Sequence, residues 1–200
     1  MQVLKDEVRN SILAAAKTLF YQKGYNNASI RDIAKNSGIT VGNVYRYFPN
    51  KESVLEGIVS PVYEKIMDYI AISERYIKAG ENKTFEDFRN EINHYMLQIT
   101  KEFRLELLIL FKGTQGTKFE KTRGELISLI ENRIYEGLFK RQKMEEKEAA
   151  FFSKIVARSF LDSLIMVIAE TEDNEKLKKL IYRLNDFYFN HLSSRFDSED

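Results

Sequence analysis

Apolar positions recur every three or four residues over most of this chain, the mark of helices that each bury one face. Ile12, Ala15, Ala16, Leu19 and Phe20 share one stripe, closed by a turn at Gly24 and Tyr25. A shorter stripe, Ile30, Ile33 and Ala34, ends near Ser37. Ser29 is placed to cap that second helix, and Asp32, three residues on, completes an acidic variant of the capping box. Gly38 supplies the left-handed residue that stops a helix without steric cost. Thr40 then caps a third helix, in which Ile39, Val44 and Phe48 pack inward while Val41, Asn43, Arg46 and Tyr47 project from the other sides. Pro49 ends it by disfavouring the helical conformation in its predecessor, and Asn50 is a good cap for the next helix.

Beyond Lys51 the helices lengthen. Val54, Leu55, Ile58, Val59, Val62, Ile66 and Ile70 define one, with a kink expected at Pro61. The AGENK segment at Ala79–Lys83 ends it, and Thr84 with Asp87 starts the next, whose stripe is Phe85, Phe88, Ile92, Met96, Ile99 and Phe103. GTQGT at Gly113–Thr117 reads as a plain interhelix turn; Lys112 and Lys118 beside it suggest a phosphate loop, but no strand precedes it and its spacing is not that of a P-loop. Ile127, Ile130, Ile134 and Leu138 mark a further helix, and two more are expected near 146–170 and 174–196. The fold class is therefore all-α.

With 200 residues, 44% of them hydrophobic, the chain can bury a substantial core. Cysteine is absent, which excludes disulfides, thiol catalysis and cysteine-ligated metals. The N-terminus lacks a signal-peptide apolar core and the longest apolar run, Leu164–Ala169, cannot span a bilayer, so a cytoplasmic protein with no membrane partner is expected. Net charge is only +1, yet residues 1–50 hold seven Lys or Arg against three Asp or Glu, and the remainder 24 against 27. Positive charge gathers at the end that carries the paired short helices.

Ile33-Ala34, Gly38, Thr40, Gly42, Tyr45, Tyr47-Phe48 and Lys51 fall at the spacings of the DNA-binding domain of the TetR family of bacterial transcriptional regulators, which the segment Ser29–Lys51 resembles closely. The likeness reaches back to about Val8 and covers about a quarter of the chain. It implies an N-terminal three-helix, helix-turn-helix domain at 1–50 and a larger helical effector-binding and dimerisation domain at 51–200. The partners implied are a double-stranded DNA operator, a second copy of the chain, and a small hydrophobic or aromatic effector. No cofactor and no metal are expected.

In a helix-turn-helix the start of the second helix meets base edges in the major groove. Here that start is Val41, Gly42 and Asn43: Asn43 suits a bidentate contact to adenine, Val41 a thymine methyl, and Gly42 close approach. The resemblance assigns Tyr45 and Lys51 to phosphate, Tyr47 to phosphate or base, and Arg31 to either. Ser29 and Thr40, at the two helix starts, complete the set. Packing against the first helix is the alternative for Tyr45 and Tyr47, and plain solvent exposure the alternative for Asn43. Lys51 opens a helix, where a cation is unfavourable unless an anion joins it.

For the larger domain the resemblance implies an effector pocket, for which Tyr95, Met96, Gln98, Phe103, Phe111, Phe160, Asp162 and Met166 are candidates; ordinary core packing is the alternative for the apolar ones, and pairing with Arg158 the alternative for Asp162. The near-continuous apolar pattern of 160–169 exceeds one core face. Such a surface on a soluble chain meets a partner, and the resemblance implies that the last two helices pair with their symmetry mates as a four-helix bundle, with Phe160, Leu164, Ile168, Leu177, Leu180, Ile181, Leu184 and Tyr188 at the interface. A DNA-binding dimer without small-molecule control is the alternative. An enzyme is more remote: Glu91 and His94 match half of a di-iron bundle site, but the second Glu-x-x-His is missing.

Overall fold

The computed structural model describes residues 2–78, 85–136 and 145–190, with side chains from residue 5 onward and excepting 72–78 and 85–89. Among the described residues eight α-helices run in the order α1 (Gln2–Lys23), α2 (Ile30–Ser37), α3 (Val41–Tyr47), α4 (Lys51–Lys78), α5 (Phe85–Lys112), α6 (Thr122–Ile134), α7 (Glu146–Glu170) and α8 (Asn174–Phe189), with no strand. The expected break at 79–83, the Thr84 cap and Leu138 lie outside the described residues.

The helix boundaries obey local chemistry. Asp173 caps α8, its carboxylate accepting from the Lys176 amide at 2.6 Å. α4 continues through Pro61 as one helix. The interruption falls instead in α5, where Phe103 leaves the helical region at φ −128°, ψ 33°.

The chain divides into two compact units, each assembled from two separate stretches: Met1–Asn82 with Phe103–Glu120, and Lys83–Glu102 with Lys121–Asp200. This differs from a division at residue 50, and packing explains why. Val54, Leu55, Ile58, Val59 and Val62 of α4 are buried together with Ile12, Ala16, Leu19 and Phe20 of α1 in the first unit. Gly57 sits where an added Cβ would lie 3.0 Å from the Leu13 side chain and 3.3 Å from Phe48, so α4 approaches α1 at a distance that only glycine leaves relaxed.

After Phe103 the chain returns to this unit. Leu107, Leu108, Ile109 and Leu110 are all buried, and Glu106 takes an ion pair from Lys17 of α1 at 2.7 Å. The GTQGT turn is tied down on α4: the Lys118 amide donates to Glu52 at 3.1 Å, the Lys118 ammonium pairs with Glu56, and buried Phe119 meets the Tyr63 ring edge-on at 5.8 Å. Gly113 and Gly116 take positive φ in it, and the Thr117 hydroxyl donates to the Thr114 carbonyl. With Lys118 so committed and Lys112 over the Tyr21 ring, the segment is an interhelix turn with a docking role.

In the second unit α7 packs against both α6 and α8. Its core includes Leu126, Ile127, Val156, Ala157, Phe160, Leu161, Ile168, Leu177 and Ile181. Phe160 is wedged between Tyr188 and Phe189, with ring centroids 5.6 and 4.8 Å away.

Candidate nucleic-acid interface

Two short helices, eight and seven residues long, are too small to hold their own shape, so their ends carry the geometry. At the start of α2 the Ser29 hydroxyl accepts from the Asp32 amide at 3.1 Å while the Asp32 carboxylate takes the Ser29 amide at 3.4 Å and its hydroxyl at 2.8 Å. That hydroxyl, before any other influence, holds the Asp32 carboxyl below the usual aspartate range. At the other end Gly38 adopts φ 71°, ψ 22°, its amide donates to Lys35, and the Ile39 amide donates to Ala34. These are the paired bonds of a Schellman stop. The Ser11 hydroxyl donates to the Ser37 carbonyl at 3.1 Å, which fixes the same end to α1.

Thr40 caps α3 by accepting from the Asn43 amide at 3.2 Å. Val44 and Phe48 are buried and Ile39 half-buried, so the inward face is the one expected. The outward face offers half-buried Val41, exposed Gly42, half-buried Asn43, exposed Tyr45 and Arg46, and half-buried Tyr47. A Cβ added at Gly42 would meet nothing within 4 Å, so the protein's own packing does not demand glycine there. Arg31 is exposed on α2. Tyr45 is 51% exposed.

Lys51 behaves differently from the phosphate clamp expected of it. Asn50 caps α4, its side-chain oxygen accepting from the Ser53 amide at 2.8 Å. The Lys51 ammonium turns back to the loop after α1 and donates to the carbonyls of Tyr25 at 2.9 Å, Ala28 at 3.0 Å and Asn26 at 3.4 Å. Three donors meet three acceptors, and the Tyr25 ring lies 4.3 Å from the charge. Burial pushes this lysine below its ordinary pKa. The side chain is a staple inside the domain. Its partners lie 23 to 26 residues away, and no local pattern announces them.

Sequence reasoning also missed Gly57, although a lone glycine in an apolar helical run is itself a sign of close approach, and Arg9, whose guanidinium lies 5.4 Å from the Phe48 ring. The candidate effector residues are divided between the two units. Phe103 and Phe111 are half-buried in the first unit, Lys65 lying over the Phe103 ring, whereas Tyr95, Met96, Gln98, Phe160, Asp162 and Met166 belong to the second. Of these Gln98 and Met166 are exposed, and Asp162 pairs with Arg123 of α6 rather than with Arg158. Among the described residues no three His, Cys, Asp or Glu side chains come together as a metal site, and no helix is long and apolar enough to cross a membrane.

The family profile of bacterial regulatory proteins, tetR family, matches residues 12–58, the span from the core of α1 through α2 and α3 into α4. A probable HTH-type transcriptional regulator of Bacillus subtilis, YttP, is 29% identical over 120 residues, covering 60% of this chain and 49% of its own. The HTH-type transcriptional repressor KstR2 of Rhodococcus jostii is 34% identical over 137 residues, covering 56% of this chain and 67% of its own. The chain belongs to the TetR family. Both of these relatives are named as HTH-type transcriptional regulators or repressors. The fold of this chain matches that of a TetR-family regulator from Bordetella parapertussis with a TM-score of 0.67 over 92% of this chain and 94% of the other, at 17% identity. The chain spans about half the length of YttP.

Proposed function

We propose that this TetR-family chain is a ligand-responsive repressor that binds a palindromic operator as a twofold dimer and is released by a small effector. The observation that carries the DNA half of this reading is the outward face of α3, where Val41, Gly42, Asn43 and Tyr45 stand in the order a major groove can read, on a helix held at both ends by caps. Arg31 and Arg46 supply exposed positive charge beside it.

The dimer half rests on α7. Phe151, Ile155 and Met166 are exposed at 65, 42 and 60%, and at 3.6 residues per turn they fall within an arc of roughly 60°. Tyr182 and Phe187 add exposed aromatic area on α8. Half-buried Asp162, paired with Arg123 of α6, lies in the same arc between Ile155 and Met166, and a mixed face of this kind suits a self-complementary contact. Of the interface residues expected from the sequence, Phe160, Ile168, Leu177 and Ile181 are buried inside the protomer and have no surface to give to a twin, while Leu164, Leu180, Leu184 and Tyr188 are half-buried. The apolar stripe chosen from sequence is largely the one that closes the protomer's own core.

KstR2 of Rhodococcus jostii is named a repressor, and repression is carried over here as part of the proposal. Selection of bound DNA from a random pool tests the whole reading. A palindrome with half-site centres about 34–36 Å apart is expected, and recovery of single, unpaired half-sites would refute the dimeric reader.

A further inference from the structure

The second unit contains a buried polar pair that its own structure leaves incomplete. Asn93 of α5 is 3% exposed and Asn185 of α8 1% exposed. The Asn185 amide nitrogen donates to Asn93 Oδ1 at 2.6 Å, to the Ile181 carbonyl at 3.3 Å and approaches the Met96 sulfur at 3.6 Å. The carbonyl of Ile181 settles which end of Asn185 is nitrogen. Asn93 Nδ2, with two protons to give, and Asn185 Oδ1 have no partner among the described residues. Buried amides normally satisfy such groups, because each one left open costs the desolvation of that group. The pair therefore retains an amide donor on Asn93 and a carbonyl acceptor on Asn185.

The surroundings restrict what can complete them. Among the described residues the buried polar side chains of this unit are Asn93, Thr100, Thr122, Ser153, Thr171 and Asn185, and none carries a charge. A buried ion would have no counter-charge here and would carry most of its desolvation cost uncompensated. Met96, half-buried on the same face of α5 as Asn93, contributes only a thioether, a weak acceptor on a flexible stem that can be displaced.

We infer that Asn93 and Asn185 form the polar anchor of the effector site and select an uncharged ligand of the carboxamide type, whose carbonyl accepts from Asn93 Nδ2 and whose N–H donates to Asn185 Oδ1. The inference rests on the proposed ligand control and names the chemistry that control responds to. A carboxylate lacks the proton that Asn185 needs, and a tertiary amide lacks it too.

Benzamide, benzoate and N,N-dimethylbenzamide, nearly equal in shape, test this on the full chain by thermal shift and by the side-chain amide signals of ¹⁵N-labelled protein. Benzamide should raise the melting temperature and move the Asn93 and Asn185 signals in the wild type, while the other two do neither. Asn93→Leu/Asn185→Leu should bind benzamide at least about tenfold more weakly, the scale of one lost hydrogen bond, without a lower melting temperature of its own. Equal shifts with benzoate, no response to benzamide, or unchanged signals for both asparagines would overturn the inference. Operator release is scored separately. Benzamide binding that leaves operator affinity untouched upholds the anchor and refutes ligand control, whereas release by a charged ligand that ignores the double variant does the reverse.

Discussion

Lys51 donates to the carbonyl of Tyr25 at 2.9 Å and sits 4.3 Å from the centre of that residue's ring, so one side chain joins the start of α4 to the loop after α1 by a hydrogen bond and a cation–π contact. The charge at the head of α4 is solvated from within, by three backbone carbonyls.

Removing it should act on the fold before it acts on DNA. Lys51→Met is expected to lower stability by about 1–3 kcal/mol, since it strands carbonyl acceptors in a partly buried loop. Operator affinity should fall by a similar factor on every sequence, with the salt dependence unchanged. A smaller salt slope in a filter-binding titration would return the ammonium to the phosphates.

Arg31 and Arg46, exposed and beside the α3 face, are the cations expected to reach phosphate. Arg46→Ala should reduce the slope of log affinity against log salt by about 0.9. The same titration run on Arg31→Ala separates a phosphate role, which gives that slope change, from a base contact, which gives loss at one operator position.

Asn43 is the residue on which base reading depends most. Asn43→Ala should cost about 1–3 kcal/mol and relax discrimination at a single operator position. Binding to a panel of single-base operator variants measures it; an equal loss on all of them would mean the side chain only positions α3.

The cap of α2 predicts a pH signature. Asp32 is held below its unfolded value by the Ser29 hydroxyl, so its contribution to stability is present above the ordinary aspartate pKa and is lost as pH falls through the lowered folded value. In Ser29→Ala the Asp32 carboxyl should titrate nearer the ordinary range, and acid unfolding should begin at higher pH. Carboxyl chemical shifts tracked through an acid titration report both.

The α7 stripe can be tested without touching the core. Phe151→Glu/Ile155→Lys should give monomers by light scattering, with the melting of the isolated chain little changed at these exposed positions. Retained dimers at micromolar concentration would move the interface elsewhere.

Much of this was legible because it was local. Ser29, Gly38, Thr40, Pro49 and Asn50 each act within a few residues of themselves, so α2, α3 and the start of α4 could be read from adjacent letters. The bounds expected for α7 and the start expected for α8 agree with the helices found. What stayed hidden was tertiary. The break at Phe103 has no glycine or proline to announce it. The partners of Lys51, the Arg123 pair of Asp162, and the docking of Lys118 and Phe119 on α4 join residues 23 to 66 positions apart. Burial misled in one direction only: the densest apolar stripes of α7 and α8 became core, and the sparser one on α7 was left outside.

The discontinuous make-up of the first unit has a practical side. Its chain leaves after residue 82, returns at Phe103 and leaves again after Glu120, so no single cut releases it whole. A fragment ended after α3 would lack Val54, Leu55 and Ile58 from its core, and one ended after α4 would lack Leu107–Leu110 and Phe119. A cut after α3 or after α4 is therefore expected to leave the core of this unit open, and limited proteolysis should release neither piece as a folded fragment.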